Sequence, residues 1–152
     1  MADRSEGRGR IVVGVDGSES SERALRWAVR QAELTGSAVV AVIAWEYPTY
    51  HGARGWFPPA ATDEAVLEGR ARQEVARAVE QAVGATPPVE VRTEVRYGTP
   101  AGALVEAARG AELLVVGSRG LGGFSGMLLG SVAQHCTRHA TVPVVVVRDE
   151  ER

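Results

Sequence analysis

Five short apolar segments alternate along the chain with stretches of helical character, and this alternation limits the fold more than any other feature. The apolar segments are rich in Val, Ile and Ala, which is typical of strands buried on both faces of a parallel sheet. The predicted strands are residues 11–15, 38–45, 89–95, 113–116 and 144–147. The predicted helices begin at a cap formed by Ser18 or Ser20 and at residues 62, 99 and 130. The pattern predicts a single α/β domain, a doubly wound five-stranded parallel sheet with helices on both faces.

Length and composition agree with one soluble globular domain. The chain has 152 residues, of which 45% are apolar and 24% charged, as in ordinary soluble domains. We expect a polar tail over residues 1–9, the folded domain over residues 10–148 and a short C-terminal tail over residues 149–152.

Charge and cysteine content narrow the class of function. The net charge of −2 and the absence of an arginine run predict no nucleic-acid partner, and no apolar stretch is long enough to span a membrane. The N-terminus lacks the apolar core of a signal peptide. A single cysteine, Cys136, fits a reducing compartment. We therefore expect a cytoplasmic protein.

A glycine-rich segment follows the fourth predicted strand and leads into the last predicted helix. It begins as Gly117-Ser-Arg-Gly120 and, nine residues later, reaches Gly130-Ser131. Glycine lets the backbone approach an anion, and the first amides of a helix have no partner within the helix. The order of strand, glycine loop and helix predicts a phosphate site. The alternative is a loop that is merely flexible, since the chain has 18 glycines.

Two common nucleotide-binding loops fit this segment poorly. The P-loop requires a lysine before its Ser or Thr, and all 17 basic residues of this chain are arginine. The dinucleotide fingerprint G-x-G-x-x-G is also not matched, because its third glycine, Gly126, falls one residue late. No acidic residue stands at a strand end about 20 residues further on. A nucleotide site of another kind is predicted.

The ends of the first and fourth strands carry the unusual residues of the chain. Asp16 follows the first strand, and the glycine segment follows the fourth. Ligands of doubly wound sheets bind at the carboxyl ends of the strands, where the strand order reverses. If these two strands are neighbours, their ends form one site.

The segment Val13-Gly-Val-Asp-Gly-Ser18, together with Gly117-x2-Gly120-x9-Gly130-Ser131, resembles the universal stress proteins. The likeness covers about residues 9–148, and its glycine spacing is that of the ATP-binding branch of the family. The resemblance implies a Rossmann-like domain, similar to the adenine nucleotide alpha hydrolases, that is usually dimeric. Its implied ligand is ATP, with ADP or AMP as alternatives and with Mg²⁺ or Mn²⁺ able to bridge the phosphates.

The resemblance also assigns roles near the base and the ribose. Asp16 would lie near ribose and adenine, and Gly14 and Val15 would leave room beneath the nucleotide. Trp45 stands where the family often has a small aliphatic residue. It is expected either to stack on the adenine or cap it, or to make the ligand lie in a slightly different position. From the residues alone, Asp16 could instead be a simple turn residue, because Asp-Gly is a strong turn signal.

Phosphate contacts are implied at both ends of the glycine segment. Gly130, Ser131 and Val132 would bind phosphate through helix-start amides and the serine hydroxyl. Gly117 and Gly120 would permit close approach to ribose and phosphates. The remaining implied nucleotide-binding residues are Ser118, Arg119, Leu121, Gly122 and Gly123. Arg119 is the only cation between residues 117 and 131, so it either offsets phosphate charge or is a solvated surface arginine.

No set of residues predicts efficient catalysis or a protein-bound metal. Ser125 and Ser131 of the glycine segment have no recognisable base and orienting acid. His135 and His139 lie on one helical face, but packing is the expected role of this helix. Three hypotheses remain: an ATP-binding stress regulator with an unknown protein partner, a slow ATPase or phosphoryl- or nucleotidyl-transfer enzyme, and a structural dimer without nucleotide.

The last strand predicts self-association. Residues 144–147 are all valine and would lie at the edge of the sheet, where unpaired backbone groups need covering. Pairing with the same strand of a second copy across a two-fold axis would satisfy them. A homodimer is expected.

Overall fold

The computed structural model describes residues 9–47, 63–120 and 129–149 of the chain. They form nine elements in the order β1 (Arg10–Gly14), α1 (Glu19–Thr35), β2 (Ala38–Trp45), α2 (Glu64–Val83), β3 (Val91–Tyr97), α3 (Pro100–Ala107), β4 (Leu113–Gly117), α4 (Ser131–His139) and β5 (Val144–Val147). Each predicted strand and helix is present. Most of the predicted ends agree within about two residues, as is usual for such boundaries.

The five strands form one parallel sheet in the order β3-β2-β1-β4-β5. The predicted doubly wound α/β fold is confirmed. The order reverses between β1 and β4, which is the switch point of this sheet. β3 and β5 lie at its two edges.

Two apolar layers cover the sheet. On one face, β1 side chains such as Ile11 and Val13 pack with α1 and α2, through residues that include Leu25 and Val75. On the other face, Val12 and Leu114 pack with α3 and α4. Neighbouring side chains of one strand thus enter opposite layers, as the pleat of a strand requires. This double burial explains why the central strands are apolar throughout.

Local sequence signals set the helix starts. Ser18, Asp63 and Thr99 each accept a hydrogen bond from an amide in the first turn of α1, α2 and α3, respectively. Ser18, and not Ser20, is the cap of α1. Within the described residues, no helix is both long and apolar enough to cross a bilayer.

Candidate functional site

The carboxyl ends of β1 and β4 lie side by side. The two strands pair in parallel, with Ile11 opposite Leu113 and Val13 opposite Val115. Asp16 and the first residues of the glycine segment therefore leave the sheet at adjacent positions. The two strands are thus neighbours at the switch point, which is the condition under which the sequence predicts one shared site.

Asp16 both holds the turn after β1 and faces the glycine segment. Its Oδ1 atom accepts hydrogen bonds from the Ser18 amide, at 2.9 Å, and from the Ser18 hydroxyl. Its Oδ2 atom lies only 2.9 Å from the position that a Cβ atom on Gly120 would occupy. Glycine at position 120 thus lets the loop approach this carboxylate. The turn role and the position beside the loop coexist in one residue.

Gly117 lets the start of α1 pack closely against the end of β4. A Cβ atom on Gly117 would stand 2.8 Å from the backbone carbonyl carbon and oxygen of Ser20, closer than real Cβ atoms approach backbone. The buried Ser20 hydroxyl also accepts a 3.2 Å hydrogen bond from the Arg119 amide. Ser20 is therefore a supporting residue of the glycine segment, whereas the sequence alone indicates only a helix cap. A small polar residue in the first turn of α1 was the available signal.

The two ends of the glycine motif are joined by a backbone hydrogen bond. The Gly130 amide donates to the Ser118 carbonyl at 2.6 Å, and the Ser118 amide donates to the Val147 carbonyl at 2.9 Å. The start of α4 is thereby fixed beside the ends of β4 and β5. Because its amide is bonded to the Ser118 carbonyl, Gly130 has a structural role in this conformation. It holds the start of α4 against the end of β4.

The N-terminus of α4 is suited to an anion. Gly130 is its cap residue and offers no side-chain hydrogen bond, whereas the other three described helices are capped by side chains. By helix geometry, the amides of Ser131 and Val132 have no partner within α4. Ser131 is exposed, and the first turn of α4 contains no acidic residue. The helix dipole adds partial positive charge at this end.

Gly14 and Val15 form the buried base of this region. A Cβ atom on Gly14 would stand 2.6 Å from Cδ1 of Leu104, so the absent side chain makes room for α3. The Val15 amide donates to the Val42 carbonyl of β2 at 2.9 Å. Glycine at position 14 therefore allows the close packing of α3, in addition to the nucleotide-binding role that the resemblance implies.

Trp45 belongs to a cluster of three aromatic side chains at the ends of β2 and β3. Its ring lies edge-on to Tyr97, with centroids 4.9 Å apart, and to Tyr47, at 5.5 Å. It also packs against the core layer formed by α1 and α2, while Tyr97 is 62% exposed. An aromatic surface thus stands on the β2 side of the switch point, in a geometry that aromatic pairs favour.

Charged groups connect the glycine segment to the residues that follow β5. Asp149 accepts a 3.1 Å hydrogen bond from Arg23 of α1, and its other oxygen lies 3.7 Å from Nε of Arg119. The Arg119 side chain is 48% exposed. Arg119 is therefore neither buried nor simply solvated, because it is loosely paired with Asp149.

Of the remaining candidate residues, three lie on α4 and three lie outside the described part of the chain. Cys136 is fully buried on the inner side of α4, and burial raises the pKa of its thiol to about 11. The exposed rings of His135 and His139 lie 4.4 Å apart. Leu121, Gly122 and Gly123 fall outside the described residues. In the part of the chain that is described, no group of three or more His, Cys, Asp or Glu could hold a metal ion.

Fold and site together define a class: a doubly wound α/β domain whose glycine motif lies at the switch point of the sheet. The model of the universal stress protein family matches residues 7–148. The chain therefore belongs to the universal stress protein family, as its motifs predicted.

Individual relatives agree with this assignment. A universal stress protein of Mycolicibacterium smegmatis is 35% identical over 150 residues, which cover 93% of this chain and 49% of the relative. The chain thus spans about half the length of the curated relatives it matches.

Two solved structures match nearly the whole domain. A universal stress protein from Lactobacillus plantarum shares 26% identity with a TM-score of 0.70, over 92% of this chain and 97% of that one. A universal stress protein solved in complex with cAMP shares 31% identity with a TM-score of 0.57, over 94% and 98% of the two chains.

Proposed function

We propose that this chain is an ATP-binding stress-response regulator with slow or no hydrolysis. Nucleotide occupancy would order the glycine segment and so change the affinity for a protein partner. The observation that carries the proposal is the convergence of the Asp16 turn, the Gly117–Gly120 segment and the uncapped start of α4 at one switch point. ADP or AMP in place of ATP would use the same site.

The residues fit a nucleotide phosphate. The amides of Ser131 and Val132 point along the axis of α4, and the exposed Ser131 adds a hydroxyl. Arg119 supplies a guanidinium that is only loosely paired. The match to a universal stress protein that binds cAMP supports an adenine nucleotide as the ligand class.

The proposed orientation places the phosphates at α4 and the base toward β2. Asp16 would accept hydrogen bonds from ribose hydroxyls, since a carboxylate is an acceptor, and Trp45 would stack on or cap the adenine. Leu121, Gly122 and Gly123 are proposed as further contacts of the nucleotide. A Mg²⁺ or Mn²⁺ ion would be held largely by the phosphate oxygens, because Mg²⁺ keeps several waters and takes few protein ligands.

The proposed oligomer is a homodimer formed through β5. This strand has β4 as its one neighbour in the described sheet, so its other edge offers backbone groups for pairing. All four of its valines are only partly buried in the single chain. A second copy of the chain, paired along this edge, would cover both the open backbone groups and the partly buried valines. We propose that this dimer acts in the cytoplasm.

The test is mass spectrometry of the ligand released from freshly purified, denatured protein. Intact ATP is the expected result and would support a binding regulator. ADP or AMP alone would favour the slow-ATPase alternative, once time courses with added ATP show product formation. Protein that carries no nucleotide and also ignores added ATP would contradict the proposal and favour a structural dimer.

A further inference from the structure

We propose that Asp149 is an internal competitor for Arg119, so that the segment after β5 sets how strongly the site prefers ligands with more phosphates. This inference rests on the proposed nucleotide site. It assigns a role to a residue outside the glycine motif, in the short tail that sequence analysis left without function.

The position of Asp149 is fixed by α1 and by β5. It stands two residues beyond the end of β5, whose Val147 carbonyl accepts the Ser118 amide. Its Oδ1 atom is held by Arg23 at 3.1 Å, and both side chains are about two-thirds covered. Arg23 is itself only 4.0 Å from Glu19. The carboxylate is therefore held beside the glycine segment by a contact independent of Arg119.

The contact between Asp149 and Arg119 is the weaker of the two. Its shortest distance is 3.7 Å, against 3.1 Å for Arg23, and Arg119 is about half exposed. Such an exposed pair contributes little stability. A phosphate group can accept two parallel hydrogen bonds from one guanidinium, which is a stronger arrangement. Arg119 can thus exchange Asp149 for phosphate at low cost.

The backbone keeps Arg119 at the site during that exchange. Its amide is bonded to the buried Ser20 hydroxyl, and its neighbour Ser118 accepts the Gly130 amide. Only the side chain has to move. Since this chain contains no lysine, Arg119 is the one side-chain cation within the motif that can respond.

The repulsion between the Asp149 carboxylate and a bound nucleotide grows with the negative charge of the nucleotide. Asp149 would disfavour ATP more than AMP, because the triphosphate brings more negative charge within the screening distance of roughly 8–10 Å. Neutralising Asp149 removes this repulsion and also releases Arg119. The affinity for ATP should therefore rise more than the affinity for AMP.

The experiment is calorimetric titration of ATP and AMP into the wild type, Asp149→Asn and Arg119→Gln. Asp149→Asn should tighten ATP binding by about threefold to fivefold, the range expected for one exposed charge, with a smaller effect on AMP. In the double variant Asp149→Asn/Arg119→Gln the gain should be smaller, because only the direct repulsion by Asp149 is then removed and no Arg119 is released. Glu106→Gln is a charge-matched control, because Glu106 of α3 pairs with Arg109 just beyond that helix, and it should leave both affinities unchanged.

The outcomes separate the two proposals. If the wild type binds ATP but Asp149→Asn binds it equally or more weakly, the role of Asp149 is overturned and the nucleotide site stands. If neither protein binds any nucleotide, both proposals fall. Thermal unfolding of each variant accompanies the titrations, and Asp149→Ser serves as a second neutral variant that must give the same direction of change.

Discussion

The Gly130 amide donates a 2.6 Å hydrogen bond to the Ser118 carbonyl, and this contact joins the two ends of the glycine motif. It fixes the start of α4 beside the end of β4. The start of α4 then lies beside Gly120, whose own Cβ position lies against the Asp16 carboxylate. The motif spacing thus has a structural meaning apart from any ligand, because it closes the segment onto the sheet.

A negative charge at position 130 should weaken nucleotide binding without lowering the stability of the fold. Gly130 has φ −70° and ψ 165°, an extended cap conformation that any residue can adopt, and an added Cβ would meet backbone atoms at 3.4 Å. Gly130→Asp should cap α4 and keep or slightly raise its stability. The new carboxylate should repel phosphate and weaken ATP binding by at least about tenfold.

Gly130→Asn is the matched control for this change. It has nearly the same shape and cap preference but no charge, so it should bind ATP much more tightly than Gly130→Asp. Equal ATP affinities of the two variants in calorimetric titration would mean that phosphate does not lie at the start of α4.

Gly117→Ala should destabilise the fold as well as the site. The new methyl would meet the Ser20 backbone at 2.8 Å, so α1 or β4 must shift, at a cost of about 1–3 kcal/mol. Urea unfolding measures this loss. Gly69→Ala is the control, because Gly69 lies within α2 with nothing near its Cβ position, and it should stabilise by about 0.5–1 kcal/mol. Unchanged stability of Gly117→Ala would contradict the close packing described here.

Asp16 should respond differently to two substitutions. Asp16→Asn can keep the acceptor oxygen that holds Ser18, so stability should fall little, while ATP affinity should fall by about tenfold because the charged acceptor for ribose is lost. Asp16→Ala should lose both the turn bond and the affinity. Titration and thermal unfolding of the pair check this, and an Asp16→Asn variant with wild-type affinity would leave Asp16 a turn residue only.

The proposed dimer can be tested at one backbone amide. The Pro143 carbonyl accepts from Leu114 of β4, and the Val147 carbonyl accepts from Ser118 directly after β4. Peptide groups alternate in direction along a strand. The Val146 amide therefore points away from β4, toward the open edge. Val146→Pro removes this donor and should give a monomer in analytical ultracentrifugation at micromolar concentration.

Val146→Ala is the control for the lost side chain, since it keeps the amide and should remain dimeric. A wild-type protein that sediments as a monomer would contradict the dimer. A dimer that survives Val146→Pro would place the interface elsewhere.

The Cys136 thiol should react only slowly with thiol reagents in the folded protein. The thiol is fully buried, and burial raises its pKa to about 11 from an ordinary value near 9, so at pH 8 it is neutral and shielded. A thiol reagent should modify it slowly in buffer and fully in denaturant. Because the unfolded chain loses this proton first, stability should decline as the pH rises from about 9 to about 11. Rapid labelling of the folded chain at pH 8 would contradict this burial.

The alternation of apolar runs and helices predicts the doubly wound sheet. It leaves open whether β1 and β4 are neighbours, and the observed strand order places them side by side. The strand β3 was expected at residues 89–95 but is Val91–Tyr97. Alternation with a period of two is unchanged by a shift of two residues, so it cannot fix the ends of such a strand.

Contacts between residues distant in sequence could not be predicted in this way. The Ser20 hydroxyl meets the Arg119 amide across 99 positions, and Asp149 meets Arg23 across 126. Hydrophobic periodicity and local propensity carry no information on such pairs, because these contacts form only when the strands are arranged in the sheet. The packing role of Gly14 beneath Leu104 is hidden from the sequence for the same reason.

The nucleotide site is tested by calorimetric titration of ATP into the nucleotide-stripped wild-type protein. We expect saturable binding of one ATP per chain, weakened by Gly130→Asp and largely retained by Gly130→Asn. A folded protein that gives no binding signal with ATP, ADP or AMP would contradict a nucleotide site at the switch point of this sheet.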